Sequence, residues 1–377
     1  VATNTPVPQP TATAIPSPTV EPVTTNTPVP QPTATATPSP IVEPAQEPVP
    51  VSECDTSPIE VLIFVSETVP DNEVKIIEES VCLAKQLYFD TSGTNLEMAS
   101  PIYVAALDRD NPKGAVKLES DYCQYIQKHH PDGWGNGPCG PHGGSQDCQT
   151  NGRCLFTDNT GNTSGSAIAS NRHRDGFHLF INQSHRMPQH EASYRYVALH
   201  ELWHVYQISS ISNPNISYEQ LGVFLGKRSG TDASVDTPWW MEGTATYLSH
   251  YFHNQQPNAR RDHLYGEMHR YLTTDYNDSG LGTLLDQYKD SGRKLYDFRY
   301  GGDDHIVAYG IGAWFIAYLV DQEGVEKIFE LYANLEELGG FENSFAAIYG
   351  KTHIEYLDDF DVFLDKPQSE IMSLIPR

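Results

Sequence analysis

His200 and His204 stand four positions apart in Tyr196-Val197-Ala198-Leu199-His200-Glu201-Leu202-Trp203-His204-Val205-Tyr206, so the segment reads H-E-x-x-H. On a helix of 3.6 residues per turn, that spacing is about 40° of rotation, and both imidazoles leave one face a turn apart. Two ring nitrogens placed this way can reach one zinc ion at about 2.0–2.1 Å. Glu201 is offset by about 100°. It can reach a water at the metal without being a ligand, as a general base must. The plainer reading is a helix with two unrelated histidines and a solvated glutamate. Val197, Ala198, Leu199, Leu202 and Val205 speak against it, because they place the helix in a core where a bare His/Glu cluster is costly.

Two histidines need a third protein ligand. The segment Asp236-Thr237-Pro238-Trp239-Trp240-Met241-Glu242-Gly243-Thr244-Ala245-Thr246-Tyr247-Leu248 reads as a second helix. Asp236 or Thr237 can cap it, and Pro238 falls where a first-turn proline is tolerated. Glu242 then sits among Trp239, Trp240, Met241 and Tyr247, where an unpaired glutamate is seldom found. Gly243 and Ala245 are small enough to let two helices approach closely.

The elements that must hold these residues can be read around them. Residues 59–65 are rich in β-branched side chains and form a strand. A helix opens at Pro70 and runs to about Phe89, with Val74, Ile77, Val81, Leu83, Leu87 and Tyr88 on its apolar face. Residues 102–107 are a second strand, so the opening is β–α–β. Residues from about 108 to 173 read as a Gly/Cys-rich surface insertion stapled by disulfides. Residues 176–182 form a strand directly before the motif helix, and it could bind an extended peptide by strand addition. From about residue 190 the chain reads as helical.

H-E-x-x-H followed by a helix reading W-W-x-E-G-x-A-x-Y resembles the gluzincins, the peptidase clan whose third metal ligand is a glutamate. It is most similar to the small bacterial domains called peptidase MA-like. The resemblance spans roughly residues 56–365 and extends to Ala308-Tyr309-Gly310-Ile311-Gly312-Ala313-Trp314-Phe315 and to the stretch from Phe345 to Phe360. The insertion departs from the pattern.

What the resemblance implies is an α+β, zincin-like fold. A mixed-sheet lobe carrying a helix would precede an all-helical lobe, with an edge strand before the active-site helix between them. It implies one zinc ion on His200, His204 and Glu242, with Glu201 as general base. Tyr309 is similar in position to a tyrosine that steadies the oxyanion in related aminopeptidases, a role that suits a neutral phenol donor. His305, Tyr247, Tyr251 and His253 are rivals for it, since the chain holds 21 tyrosines and most serve the core. Glu242 follows His204 by 38 positions, longer than in well-known members, so residues 209–235 form an extra loop near the cleft. No G-x-M-E-N segment is present to capture a free amino terminus, which points to an endopeptidase. Thr246 stands where some relatives place an aspartate behind a zinc histidine.

Composition bounds the rest. Residues 1–52 hold Pro, Thr, Val, Ala and Gln and repeat themselves: Thr3-Asn4-Thr5-Pro6-Val7-Pro8-Gln9-Pro10 returns as Thr25-Asn26-Thr27-Pro28-Val29-Pro30-Gln31-Pro32. No unit has an apolar face to bury, so the repeat reads as an extended, solvated spacer reaching about 3.1 Å per residue. Residues 53–377 form the globular body. With 24 Lys+Arg against 49 Asp+Glu, the net charge is −25, which argues against nucleic acid or an anionic membrane as partner.

Six cysteines, at 54, 82, 123, 139, 148 and 154, read as three disulfides in an oxidising compartment. The rival is a second zinc site from Cys139, Cys148 and Cys154 with His129, His130 or His142, but no C-x-x-C pair supports it. Asp158-Asn159-Thr160-Gly161-Asn162-Thr163 offers oxygens that would suit calcium, though a polar turn is the stronger reading. No apolar run spans a bilayer. No signal peptide is visible, and a start at Val1 reads as a mature or trimmed chain, for which a cell-surface tether upstream of the spacer is an expected partner.

The expected protein is therefore a secreted zinc metallopeptidase acting on protein or peptide. Two other classes compete with it. One is an inactive zinc-bearing adhesion module, and the other is a hydrolase of non-peptide amides or esters.

Overall fold

The computed structural model describes residues 46–51, 59–90, 101–130, 139, 154–157, 161–165, 167–170, 177–184, 191–213, 215–227, 236–275, 282–300 and 304–376. All belong to one compact unit, Ala45–Arg377. They are mostly helical with one small mixed sheet, compatible with the α+β class.

The sheet has five strands in the order β1-β2-β3-β5-β4. Strand β2 (Val61–Val65) leads through helix α1 (Asp71–Lys85) to β3 (Ile102–Asp108), and β3 leads through α2 (Pro112–His129) toward β5 (His178–Ser184). These three strands are parallel, and the two outer ones, β1 (Val49–Pro50) and β4 (Ala167–Ser170), are antiparallel to their neighbours. A parallel strand is covered on both faces, which is why Val61-Leu62-Ile63-Phe64-Val65 is apolar throughout rather than alternating. Ile63, Val104 and Phe180 face one way, into the main core with Ile77 and Val81 of α1. Phe64, Tyr103 and Leu179 face the other way, packed with Leu118, Tyr122 and Ile126 of α2.

Three expectations are corrected here. The stretch 108–173 is not wholly a surface insertion, because α2 lies within it and covers one face of the sheet. Asn111 caps α2 by accepting from the Gly114 N–H at 3.0 Å, and Pro112 occupies its first turn. Strand β5 is not an edge, since β3 and β4 pair on either side of it, so the strand at 176–182 has no free side for strand addition. The spacer expected over 1–52 ends earlier, because Val49 pairs with Ile63, Pro50 with Leu62, and Val51 is buried. The repeats themselves, residues 1–45, lie outside the described residues.

Cys123 is bonded to Cys139, Cys82 and Cys154 are also in disulfides, and among the described residues no cysteine is free. The alternative zinc site on Cys139 and Cys154 is thereby excluded. Thr157 and Thr163 pair across the candidate calcium segment, as a polar turn would, while residues 158–160 lie outside the described ones.

The rest is helical. Helix α3 (Glu191–Ser209) carries the H-E-x-x-H residues and packs on the sheet and α1. Helix α4 (Tyr218–Phe224), closed by a capping box from Ser217 and Gln220, occupies part of the expected loop at 209–235. Helix α5 (Met241–Asn254) follows, then α6 (His263–Thr273), α7 (Leu284–Ser291) and α8 (Asp304–Glu323). Helices α9 (Glu326–Ala333), α10 (Phe341–Tyr349), α11 (His353–Leu364) and α12 (Gln368–Ile371) complete the fold. Among the described residues, no helix is long and apolar enough to cross a membrane.

Helix α5 contacts both α3 and α8. Its approach to α8 is made at two glycines. A Cβ on Gly243 would fall 2.8 Å from the Gly312 carbonyl carbon, and one on Gly312 would fall 2.5 Å from the Trp239 carbonyl oxygen. Both obstacles are backbone, so neither can swing aside. Gly312→Ala should therefore cost about 1–3 kcal/mol, the usual penalty for overpacking, read as a lower denaturant midpoint with an unchanged slope.

Candidate metal centre

The helix pair α3 and α5 brings His200, His204 and Glu242 together. The Nε2 atoms of His200 and His204 lie 3.2 and 3.1 Å from Glu242 Oε2. Among the described residues, these three form the one group of three or more His, Cys, Asp or Glu whose ligand atoms all lie within 4.8 Å of one another. Glu242 is only 7% exposed, and Trp239, Trp240 and Met241 are buried beside it in sequence. A carboxylate there must be compensated.

The start of α5 differs from the expected one. Neither Asp236 nor Thr237 caps it; Trp240 is the N-cap and makes no side-chain cap bond. Asp236 instead pairs with Lys227 at 2.9 Å, and Thr237 donates its N–H to the Lys227 carbonyl at 2.7 Å. Helix-type bonds begin at Pro238, whose carbonyl accepts from the Glu242 N–H at 2.8 Å. Glu242 thus leaves the first turn, where the helix dipole also favours a negative charge.

The electrostatics fit a cation at this point. Burial would raise the Glu242 carboxyl, but the His204 charge and hydrogen bonds from both imidazoles hold it well below the usual carboxylate range. Burial likewise opposes a charge on His204, yet Glu242 outweighs it and lifts the imidazole to about 9. In the metal-free chain, a proton between His204 and Glu242 therefore stands where a metal would be shared. Two imidazole nitrogens and one carboxylate oxygen are a donor set suited to a borderline divalent ion.

Behind His204 lies Gln207, one helical turn further along α3. Its Oε1 accepts from His204 Nδ1–H at 2.7 Å. An amide oxygen can only accept, so this bond commits the proton to Nδ1 and leaves Nε2 for a ligand. The Gln207 amide nitrogen is itself tied to Thr244 Oγ1 at 2.9 Å and Tyr332 at 2.8 Å. The reading of the sequence missed Gln207, although its i+3 spacing from His204 is a readable signal. Thr246 is buried, and its hydroxyl makes no hydrogen bond among the described residues.

Glu201 is half-buried on α3, and its charge is felt at both His204 and Tyr309. Tyr309 on α8 stacks at 6.4 Å on the His200 ring, and the Glu242 charge is felt at its phenol. Of its rivals, His305 stands one ring further out, 5.9 Å from Tyr309. Tyr247 and Tyr251 stack on each other, and His253 packs on His263. A second tyrosine, Tyr300, was not foreseen. Its hydroxyl donates to Glu242 Oε1 at 2.7 Å. Burial first, and then the Glu242 charge, raise both phenols, so Tyr300 and Tyr309 remain protonated donors.

No protein-family model, curated protein or solved structure matches this chain.

A second histidine group lies further along α5. His250 Nδ1 meets His263 Nε2 at 3.0 Å, and both ring nitrogens of His253, 1% exposed, lack a hydrogen-bond partner among the described residues. Burial lowers His250 and His263 and lowers His253 to about 4. All three therefore take up protons more readily when unfolded. Stability is full above the unfolded value of about 6.5 and falls as pH drops toward 4, by up to about 1.4 kcal/mol per pH unit for each proton. Urea midpoints measured from pH 7 to pH 4 should decline, and His253→Gln should flatten that decline.

Proposed function

We propose that the chain is a secreted, zinc-dependent peptidase of the gluzincin type, acting on protein or peptide. The observation that carries this reading is the convergence of His200 Nε2 and His204 Nε2 on Glu242 Oε2, with Glu201 on the same helix and Tyr309 beside it. A bound zinc ion would polarise the scissile carbonyl and make a water acidic enough to attack at neutral pH.

The side chains supply the rest. Glu201 takes the proton of the attacking water and holds it on its carboxylate. It then delivers that proton to the nitrogen of the departing amine, so one group serves as base and then acid. Tyr309 offers an O–H to the oxygen on which negative charge develops. Gln207 keeps His204 in one tautomer throughout. The role first given to the strand at 176–182 passes to β4, the edge next to β5, which also contacts α3. Among the described strands none pairs on its other side, where an extended peptide would add. The disulfides support an oxidising compartment.

Glu201→Gln keeps the shape of the side chain and removes the base. The variant should hold as much zinc as wild type and cleave a peptide library about 10²–10⁴-fold more slowly. Wild-type cleavage should stop with chelator and return with zinc. Undiminished cleavage by the variant would overturn the base assignment, and zinc without cleavage in wild type would favour a binding module. Ester or non-peptide amide turnover alone would move the substrate class.

A further inference from the structure

Glu242 has two carboxylate oxygens, and the structure assigns them different partners. Oε2 faces both imidazoles at 3.2 and 3.1 Å, while Oε1 accepts the Tyr300 hydroxyl at 2.7 Å. We propose that Tyr300 is the positioning residue that reserves Oε1 and so makes Glu242 a one-oxygen ligand. The proposal rests on the metal reading above.

A carboxylate with both oxygens free can grip a cation through both, taking a coordination position that a water or substrate would otherwise use. A hydrogen bond already made to one oxygen withholds it. It also fixes the rotation of the carboxylate, which is how outer partners of metal ligands commonly tune affinity.

Tyr300 is itself held in place. Although it is 38% exposed, its hydroxyl end is turned inward onto Glu242. Lys227 Nζ lies 5.3 Å above its ring, and the same ammonium pairs with Asp236 at 2.9 Å. The Tyr300 N–H makes a long contact of 3.5 Å to the Asp236 carbonyl. Asp236 begins the segment that presents Glu242, so the tyrosine and the ligand it touches are tied to one anchor. The cation over the ring adds to the hold on a side chain that the core does not enclose.

This divides the work between the two phenols at Glu242. Tyr300 sets the ligand, and Tyr309, stacked on His200, is left for the substrate. The two substitutions should therefore part company. With zinc or cobalt as the probe, Tyr300→Phe should weaken metal affinity about 10–100-fold, the usual loss for an outer partner of a ligand. Cobalt-loaded Tyr300→Phe should also show a weaker visible absorption band, as the ion gains a fifth donor from Glu242. Lys227→Met should weaken affinity in the same direction by less. Tyr309→Phe should leave metal affinity within about twofold while lowering kcat about 10²–10³-fold.

Thermal midpoints of the metal-free chains would separate these effects from misfolding, and Tyr300→Phe should match wild type there. If wild type takes up neither zinc nor cobalt, the metal reading fails. If wild type binds metal while Tyr300→Phe keeps the same affinity and spectrum, this proposal alone is overturned.

Discussion

Burying the Glu242 carboxylate is the constraint on which the rest of the molecule turns. A carboxylate at the head of a helix entered through two buried tryptophans must have positive charge or donors on every open side. Here two imidazoles face one oxygen and a phenol faces the other. In the metal-free chain His204 carries a proton for the purpose, held to about 9 by the very carboxylate it compensates. A divalent ion would replace that proton with more charge at the same point, and its uptake would release the proton.

The packing serves this arrangement. Helix α3 is anchored on the sheet and on α1, so His200 and His204 start from an element packed against both. Helix α5 is pinned from the other side by α8, whose backbone approaches it at Gly243 and Gly312 and whose Tyr309 stacks on His200. Trp239 and Trp240 then fill the space around the turn with Phe315, Phe341 and Phe345. A turn so enclosed has little freedom to carry its glutamate elsewhere.

The site was legible in the sequence as far as local periodicity reaches. His200 and His204 follow from four-residue spacing on one helix. Glu242 follows from an acidic residue in an otherwise apolar segment, and the fold brings the ligand atoms of these three within 4.8 Å of one another. The strands expected at 59–65, marked by its β-branched run, and at 102–107 are present at 61–65 and 102–108. Tyr300 was not legible, because it comes from a loop 58 positions away and nothing local sets it apart from the other tyrosines. Helix α2 was overlooked for a different reason. The glycines and cysteines after it coloured the reading of the whole stretch, although Ala115, Leu118, Tyr122 and Ile126 carry a helical period of their own. Strand order is a tertiary property, so the interior place of β5 could not be read from its residues.

The central claim is that His200, His204 and Glu242 hold one metal ion. Mass-spectrometric metal content of purified wild type beside Glu242→Ala tests it most directly. The account predicts one zinc per wild-type chain and a clear loss in the variant. A wild-type chain without metal, or a variant that keeps as much as wild type, would contradict it.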